Sequence, residues 1–345
     1  MKEKCKLKLT TCWLNINRCC NLRCEWCYAK NTGFDPYSNI SLDDAKKTIN
    51  LIAEIGINSV ILIGGEPTLH PFLCEIIRYA KDKSMVVSIV SNGLKFTDMD
   101  FLQKVKDSGL DFINLSLKGE NQNQFQNITG VDAFNEVMNA IKNISKSGIE
   151  FNVAMVLTLK NIHSFLNGIK EAKRYGCNFF DLSFCYNLNL DDNNKIFLEE
   201  NNPKKIIEEF SKIYDELNNI TNGKFALEQS FPLCLWNNND VIQKMIERKQ
   251  INTLCQLLQR QGLILDEELN VIPCNVLHML KLGNIKGFTN GNEILNLVRK
   301  SERIYNRLTA VPSKKCVSCK DYISCGGGCP VQWTNYSFKE LFNKL

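Results

Sequence analysis

Histidine is nearly missing from this chain: 345 residues hold 3, at His70, His163 and His278, and no two stand at metal-ligand spacing. That scarcity excludes a histidine-built zinc centre and leaves no Ser-His-Asp arrangement. The three are expected at solvent or capping positions. Long apolar runs are missing too, since no stretch approaches the roughly 18 residues of a membrane span. The amino terminus, MKEKCKLKLTTCWLNINR, is basic, but Lys8 and Thr10 fall where a signal peptide needs unbroken apolar residues. Export is not expected, and neither is a membrane; a cytoplasmic protein is. With only 8 Pro and 19 Gly, no low-complexity tract and no repeat at a fixed period, disorder and solenoid architectures fall away. A phosphate-cradling P-loop is absent. The net charge is only +5, and Lys and Arg are interleaved with Asp and Glu, so no basic patch supports a nucleic-acid partner.

Cysteine, by contrast, is abundant. There are 16 cysteines, and in a reducing cytoplasm thiol clusters point to metal or redox chemistry rather than disulfides. Hydrophobic residues make up 44% of the chain, enough for a large core, and the length suits an α/β barrel of about 200–250 residues with a smaller appendage.

From Thr11 to about Glu200, short runs rich in Ile and Val alternate with amphipathic stretches. That alternation predicts parallel strands joined by helices. The strands are expected at 12–17, 59–64, 86–91, 112–117, 151–159 and 179–185, with helices after Ser41 and near 70–82, 98–107, 133–146, 162–175 and 203–219. The expected fold is α/β, a partial (β/α)6 TIM-like barrel. Beyond about residue 225 the alternation lapses and cysteine becomes dense again, so the chain divides into a barrel over 1–220 and a Cys-rich domain over 221–345. The boundary falls in or just beyond the Asn- and Asp-rich segment from Asn187 to Asn202.

In such folds reactive groups sit at the carboxyl ends of strands. The first strand is followed by RCCNLRCEWCYAKNTG, in which Cys20, Cys24 and Cys27 read C-x3-C-x2-C. Three thiolates on a cubane iron–sulfur cluster leave one iron open, whereas a structural zinc wants four ligands. Cys19 would be the fourth for zinc, but adjacent cysteines rarely aim both sulfurs at one metal. The second strand is followed by GGEPTLHP, the third by Ser91-Asn92-Gly93, and the fourth contains Ser116 ahead of Lys118.

Together these motifs resemble the radical S-adenosylmethionine (radical SAM) enzymes. The resemblance implies a four-iron four-sulfur cluster on Cys20, Cys24 and Cys27, with the SAM amine and carboxylate on the open iron. It also implies reductive cleavage of SAM to a 5′-deoxyadenosyl radical that removes hydrogen from an unactivated carbon. Trp26, Gly64, Gly65, Glu66, Pro67, Ser91, Asn92, Ser116 and Lys118 are implied as cofactor contacts. Glu66 would accept from the SAM amine, and Lys118, where the family often has Asp, would neutralise the SAM carboxylate. Turn chemistry is the competing account of Ser91, Asn92 and Ser116.

The distal cysteines are Cys255, Cys274, Cys316, Cys319, Cys325 and Cys329, the last four spaced C-x2-C-x5-C-x3-C. They resemble the SPASM or twitch-type auxiliary cluster domain of radical SAM enzymes. Two departures stand out: Leu269 takes the pattern's Gly position, and no cysteine follows Cys329. The resemblance implies one or two auxiliary four-iron clusters, a first on Cys255, Cys274 and Cys329 and a second on Cys316, Cys319 and Cys325. Cys234 is expected to complete the first set. A zinc ribbon is the competing reading of the C-x2-C block.

Cys5, Cys12, Cys19, Cys74 and Cys177 read as buried small hydrophobes. Cys185, at the end of the sixth strand, is the candidate hydrogen-atom donor. Asn275 stands where formylglycine-forming sulfatase maturases carry an Asp base, so that oxidase chemistry ranks below peptide modification. The resemblance implies a ribosomally made peptide substrate, modified by a thioether or C–C crosslink or by epimerisation, and a flavodoxin- or ferredoxin-type electron donor. With the first loop cysteine at position 20, leader recognition is expected from a separate protein or from the barrel and SPASM surfaces. A small-molecule dehydrogenase and a zinc-stabilised non-catalytic binding protein are the alternatives.

Overall fold

The computed structural model describes residues 8–32, 35, 37–185, 202–228, 230–237, 240–252 and 255–335. Cys5 and most of the Asn-rich segment from Asn187 therefore lie outside the described residues. Six parallel strands form where Ile and Val runs were expected: β1 (Thr11–Asn17), β2 (Ser59–Gly64), β3 (Val86–Ser91), β4 (Phe112–Ser116), β5 (Glu150–Leu157) and β6 (Phe180–Phe184). They hydrogen-bond in chain order, and each consecutive pair is parallel. The buried row of β1, Cys12, Leu14 and Ile16, is closed to solvent, as helices covering a parallel sheet require.

Helices α1 (Leu42–Glu54), α2 (Leu73–Asp82), α3 (Met99–Asp107), α4 (Gln122–Thr129), α5 (Phe134–Ser147) and α6 (Phe165–Arg174) cross between strands. Ser41 starts α1 by accepting from the Asp44 N–H at 3.1 Å, and Ala45, Ile49 and Ile52 fall on one face and are fully buried. Helix α4 was not anticipated, because QNQFQNIT offers only Phe125 and Ile128 as apolar anchors. Its signal lies in its ends: Asn121 accepts from the Gln124 N–H at 3.0 Å, and Gly130 takes φ +75° at the carboxyl cap.

Strand formation does not stop at β6. Strands β7 (Phe225–Glu228), β8 (Ile251–Asn252), β9 (Gly262–Leu265), β10 (Asn270–Val271) and β11 (Gly283–Asn284) extend the same sheet, in the order β11-β10-β9-β1-β2-β3-β4-β5-β6-β7-β8. The sheet stays open, since the order is linear and β8 and β11 lie at its two ends. These late strands are two to four residues long, too short to leave a periodic trace in the sequence. The region beyond residue 225 is thereby tied to both edges of the barrel, with β9 running parallel to β1 and pairing Leu14 with Leu265. The helix Gly291–Lys300 docks on α1: the Gly291 N–H donates to Glu54 at 2.7 Å, where an added Cβ would sit 2.5 Å from the Leu51 carbonyl. Arg18 and Glu267 add a buried ion pair at 2.7 Å, with 4% and 15% of their side chains exposed. Breaking one member would leave a buried charge without its partner.

Of the three histidines, His70 is buried rather than solvent-facing. Its Nε2 meets the Ile40 carbonyl at 2.9 Å and its Nδ1 accepts from the Phe72 N–H at 3.1 Å, which assigns the proton to Nε2. Burial lowers its pKa from 6.5. The unfolded chain then takes up a proton first, so stability present above that value is lost as pH falls below about 6.5. His70→Gln is expected to flatten this dependence and cost about 1 kcal/mol at neutral pH. Denaturant midpoints at about pH 7.5 and about pH 5.5 check it.

Candidate functional site

The carboxyl ends of β1 to β4 meet around a cavity of about 240 Å³. Cys20, Cys24 and Cys27 line it, on the loop that leaves β1. Two elements hold that loop in shape. Helix α4 accepts the Arg23 N–H at Thr129 (2.8 Å) and the Glu25 N–H at Ile128 (2.9 Å). From the other side the Glu66 N–H donates to the Cys19 carbonyl at 2.6 Å.

Burial pushes the Cys20 thiol up to about 12, and the neighbouring Cys24 and Cys27 oppose its ionisation. Cys24 is pushed up by burial as well, while the Lys118 ammonium pulls it down. Buried thiols such as Cys20 and Cys24 become thiolates together only against a positive centre, which suits a multi-iron group. Among the described residues no three His, Cys, Asp or Glu side chains are arranged to hold a single metal ion.

Gly64 and Gly65 are dictated by the thiol loop itself. A Cβ on Gly64 would stand 2.6 Å from the Asn17 side-chain oxygen, and one on Gly65 would stand 2.6 Å from the Arg18 carbonyl and closer still to that of Cys19. Glu66 is 1% exposed and its carboxylate accepts four hydrogen bonds from the chain. Oε1 accepts from Ser91 Oγ at 2.8 Å, Thr68 Oγ1 at 2.6 Å and the Thr68 N–H at 3.0 Å; Oε2 accepts from the Asn92 N–H at 2.7 Å. Glu66 thus pins the end of β3 to the end of β2. Asn92 passes the link on, its amide donating to Asn21 Oδ1 in the thiol loop at 2.7 Å. Glu66→Gln swaps one acceptor oxygen for a donor that must face another N–H or O–H, at an expected cost of about 2–4 kcal/mol in a denaturant titration.

Ser116 and Lys118 line the same cavity from the end of β4, and Cys185 lines it just beyond β6. Cys185 is buried and packs with Trp26 and Ile128. The Trp26 indole N–H is buried at this wall with no hydrogen-bond partner among the described residues, a donor waiting for a bound acceptor. Pro67 is the exception among the anticipated contacts. It is buried outside the cavity wall, where it opens the turn Pro67–Leu69. Tyr28 was missed: it lines this cavity and donates to the Gly64 carbonyl at 3.2 Å.

A second cavity, of about 690 Å³, abuts the first and shares Tyr28 and Val276 with it. Its wall includes Cys255, Cys274, Cys325 and Cys329, together with Glu228 at the end of β7. Glu228 faces the cavity's solvent yet lies deep in the protein, and that confinement, with Asp181 nearby, pushes its carboxyl up to about 7. Asn275 also lines this wall, its Oδ1 taken by the Asn15 amide at 2.9 Å. Leu269, at the family's glycine position, adopts φ +66° with its side chain buried. A left-handed leucine costs roughly 1–2 kcal/mol, which explains why glycine is preferred there.

The distal thiols fall into two groups. Cys255 and Cys274 act on Cys329, whereas Cys316 feels Cys325 and Cys319. Cys234, expected with the first group, lies with the second: Cys325, Cys316 and Cys319 all raise its pKa, and the neighbouring Leu233 N–H donates to Cys325 Sγ at 3.4 Å. Of the remaining cysteines, Cys12 and Cys177 are buried, and Cys19 and Cys74 are partly so.

The radical SAM superfamily profile matches residues 14–172, from β1 into α6, and so contains the three-thiol loop and the whole 240 Å³ cavity except Cys185, Ser183, Phe184 and Val276. A radical SAM domain thus occupies residues 14–172. The cofactors of that superfamily are S-adenosylmethionine and a four-iron four-sulfur cluster. Among curated relatives, the probable GTP 3′,8-cyclase of Saccharolobus solfataricus is 32% identical over 199 residues, 57% of this chain and 63% of that protein. The AdoMet-dependent heme synthase of Nitratidesulfovibrio vulgaris is 32% identical over 163 residues, 47% of this chain and 44% of that protein. The matches thus span less than two thirds of these radical SAM relatives. Among solved structures, anSMEcpe with bound AdoMet and the Kp18Cys peptide superposes with TM-score 0.73 at 18% identity, covering 97% of this chain and 96% of that one. Streptococcus suis SuiB bound to its precursor peptide SuiA gives 0.70 at 16%, over 97% and 74%. The fold of this chain is therefore theirs along nearly its whole length. No helix among the described residues is long and apolar enough to cross a membrane.

Proposed function

We propose that this radical SAM enzyme modifies a ribosomally made peptide, forming a thioether or C–C crosslink or inverting a stereocentre. The observation that carries the reading is the second cavity, about 690 Å³, set against the SAM cavity at Tyr28 and Val276. A chamber of that size accepts a stretch of extended chain and brings one backbone or side-chain carbon to the shared wall. Ile323, 98% exposed, lies at its edge and offers an apolar contact to a peptide side chain. Peptide-bound anSMEcpe and SuiB share the fold and lend support. The curated relatives carry a nucleotide or haem in their names at similar identity, so sequence similarity of this degree does not select the substrate.

In this reading Cys20, Cys24 and Cys27 hold the SAM-binding cluster. Reductive cleavage of SAM there supplies the 5′-deoxyadenosyl radical that takes hydrogen from the substrate. Trp26, Ser116 and Lys118 contact the cofactor, Lys118 placing a cation beside its carboxylate. Gly64, Gly65, Glu66, Ser91 and Asn92 fix the cavity floor. Cys185, whose thiol burial keeps protonated, serves as hydrogen donor if the product is an epimer. The two distal thiol groups hold auxiliary clusters, and a flavodoxin- or ferredoxin-type protein supplies electrons. Leader recognition falls to a separate protein or to the surfaces around the larger cavity.

The test is anaerobic incubation of the reconstituted enzyme with SAM, a reductant and a candidate precursor peptide. Expected are 5′-deoxyadenosine and a peptide lighter by two hydrogens, or one of unchanged mass that takes up solvent deuterium. Deoxyadenosine release that responds to GTP and not to peptide would overturn the assignment.

A further inference from the structure

Five groups of the distal region line the larger cavity: Cys255, Cys274, Cys329 and Glu228, with Cys325 at the junction to the other thiols. Cys234, Cys316 and Cys319 do not belong to that wall. The segment from Glu228 to Cys234 explains the division, because it runs along the Cys325–Cys329 loop with a defined polarity. At one end, β7 pairs with β8 so that Glu228 stands opposite Asn252, three residues before Cys255. Next, the Ser230 carbonyl accepts the Cys329 N–H at 3.1 Å. Gly328 packs so tightly on the following turn that a Cβ there would lie 2.7 Å from Pro232 N. At the far end the Leu233 N–H reaches Cys325 Sγ at 3.4 Å, which carries Cys234 to the Cys316, Cys319 and Cys325 side.

We propose that Cys234 is the fourth thiolate of the Cys316, Cys319 and Cys325 set, and that the Glu228 carboxylate is the fourth ligand of the Cys255, Cys274 and Cys329 set. The inference rests on the auxiliary-cluster reading above and specifies it. One auxiliary cluster is closed by four sulfurs. The other keeps an oxygen-ligated iron on the wall of the larger cavity, where a substrate thiolate or carboxylate can displace a carboxylate more readily than a thiolate.

The experiment uses the full chain with Cys20, Cys24 and Cys27 replaced by Ala, so that only distal clusters remain. Reconstituted anaerobically, this protein is expected to hold about eight iron and eight sulfide, two four-iron clusters. Adding Glu228→Gln is expected to change the electron paramagnetic resonance signal of one reduced cluster and leave the other untouched. Adding Cys234→Ala is expected to alter the other signal and to give a three-iron signal after oxidation. If Glu228→Gln leaves both signals unchanged, or if the two substitutions perturb the same signal, the assignment falls while the clusters stand. Absence of distal iron and sulfide overturns the cluster reading along with it. A metal-free check guards against misfolded variants: a short bifunctional thiol reagent on the apoprotein is expected to join Cys234 to the peptide bearing Cys316, Cys319 and Cys325. Joining to Cys255 or Cys274 instead overturns the assignment.

Discussion

Replacing Cys20, Cys24 and Cys27 together by Ala is expected to abolish 5′-deoxyadenosine formation and to remove about four iron and four sulfide per chain, with distal iron retained. The selectivity follows from how the loop is held. Its backbone is fixed by Thr129, Ile128 and Glu66, and the thiols add only a long bond from the Leu22 N–H to Cys20 Sγ at 3.4 Å, so the fold tolerates their loss. Without a metal the buried Cys20 thiol resists ionisation, and Cys24 and Cys27 oppose it further. The proposed cluster supplies the positive charge that offsets this. The wild type measured alongside gives the reference stoichiometry. Retention of deoxyadenosine formation in the triple variant, or loss of the distal iron as well, would contradict the separation of the two sites.

Gly65→Ala is expected to be nearly as severe. The clash is between backbones, 2.6 Å to the Arg18 carbonyl and less to that of Cys19, so no side-chain rotation relieves it. Either the end of β2 moves away or the thiol loop does. In both cases the Glu66 N–H to Cys19 bond breaks and Glu66 is drawn from its four donors. The expected cost is above about 4 kcal/mol, the upper end for single substitutions. Deoxyadenosine formation falls at least about a hundredfold in whatever protein still folds. Gly56→Ala supplies the contrast: its φ is +82° but nothing lies within 4 Å of the added Cβ, so only backbone strain of about 1 kcal/mol is expected. Iron content and thermal melts of the two variants side by side check the prediction. Equal behaviour would show that the glycine pair is not set by this close approach.

The glycine pair also shows where reading a sequence stops. GGEP was legible as a motif, and its position after the second strand was legible from the Ile and Val run before it. The use of each residue was not. Glu66 was expected to accept from the SAM amine; what the sequence did not show is that its carboxylate also accepts from Ser91, Thr68 and Asn92, tying two strand ends together. Cys234 was assigned by its position upstream of the motif, and the turn around Pro232 sends it to the other thiol group. Helix α4, which grips the thiol loop, carries too few apolar residues to announce itself.

The sequence by itself determined the alternation of six strands with helices, the three-cysteine loop after the first of them, and the radical SAM character of the domain that carries it. Each of these depends on residues close together in the chain, through side-chain periodicity and ligand spacing. Tertiary structure alone decided that β9 flanks β1 across some 250 residues of sequence, that the sheet runs to 11 strands without closing, and which sulfurs stand together. Those outcomes come from packing between distant segments, where a two-residue strand or a single tight glycine contact sets the arrangement and leaves no local pattern behind.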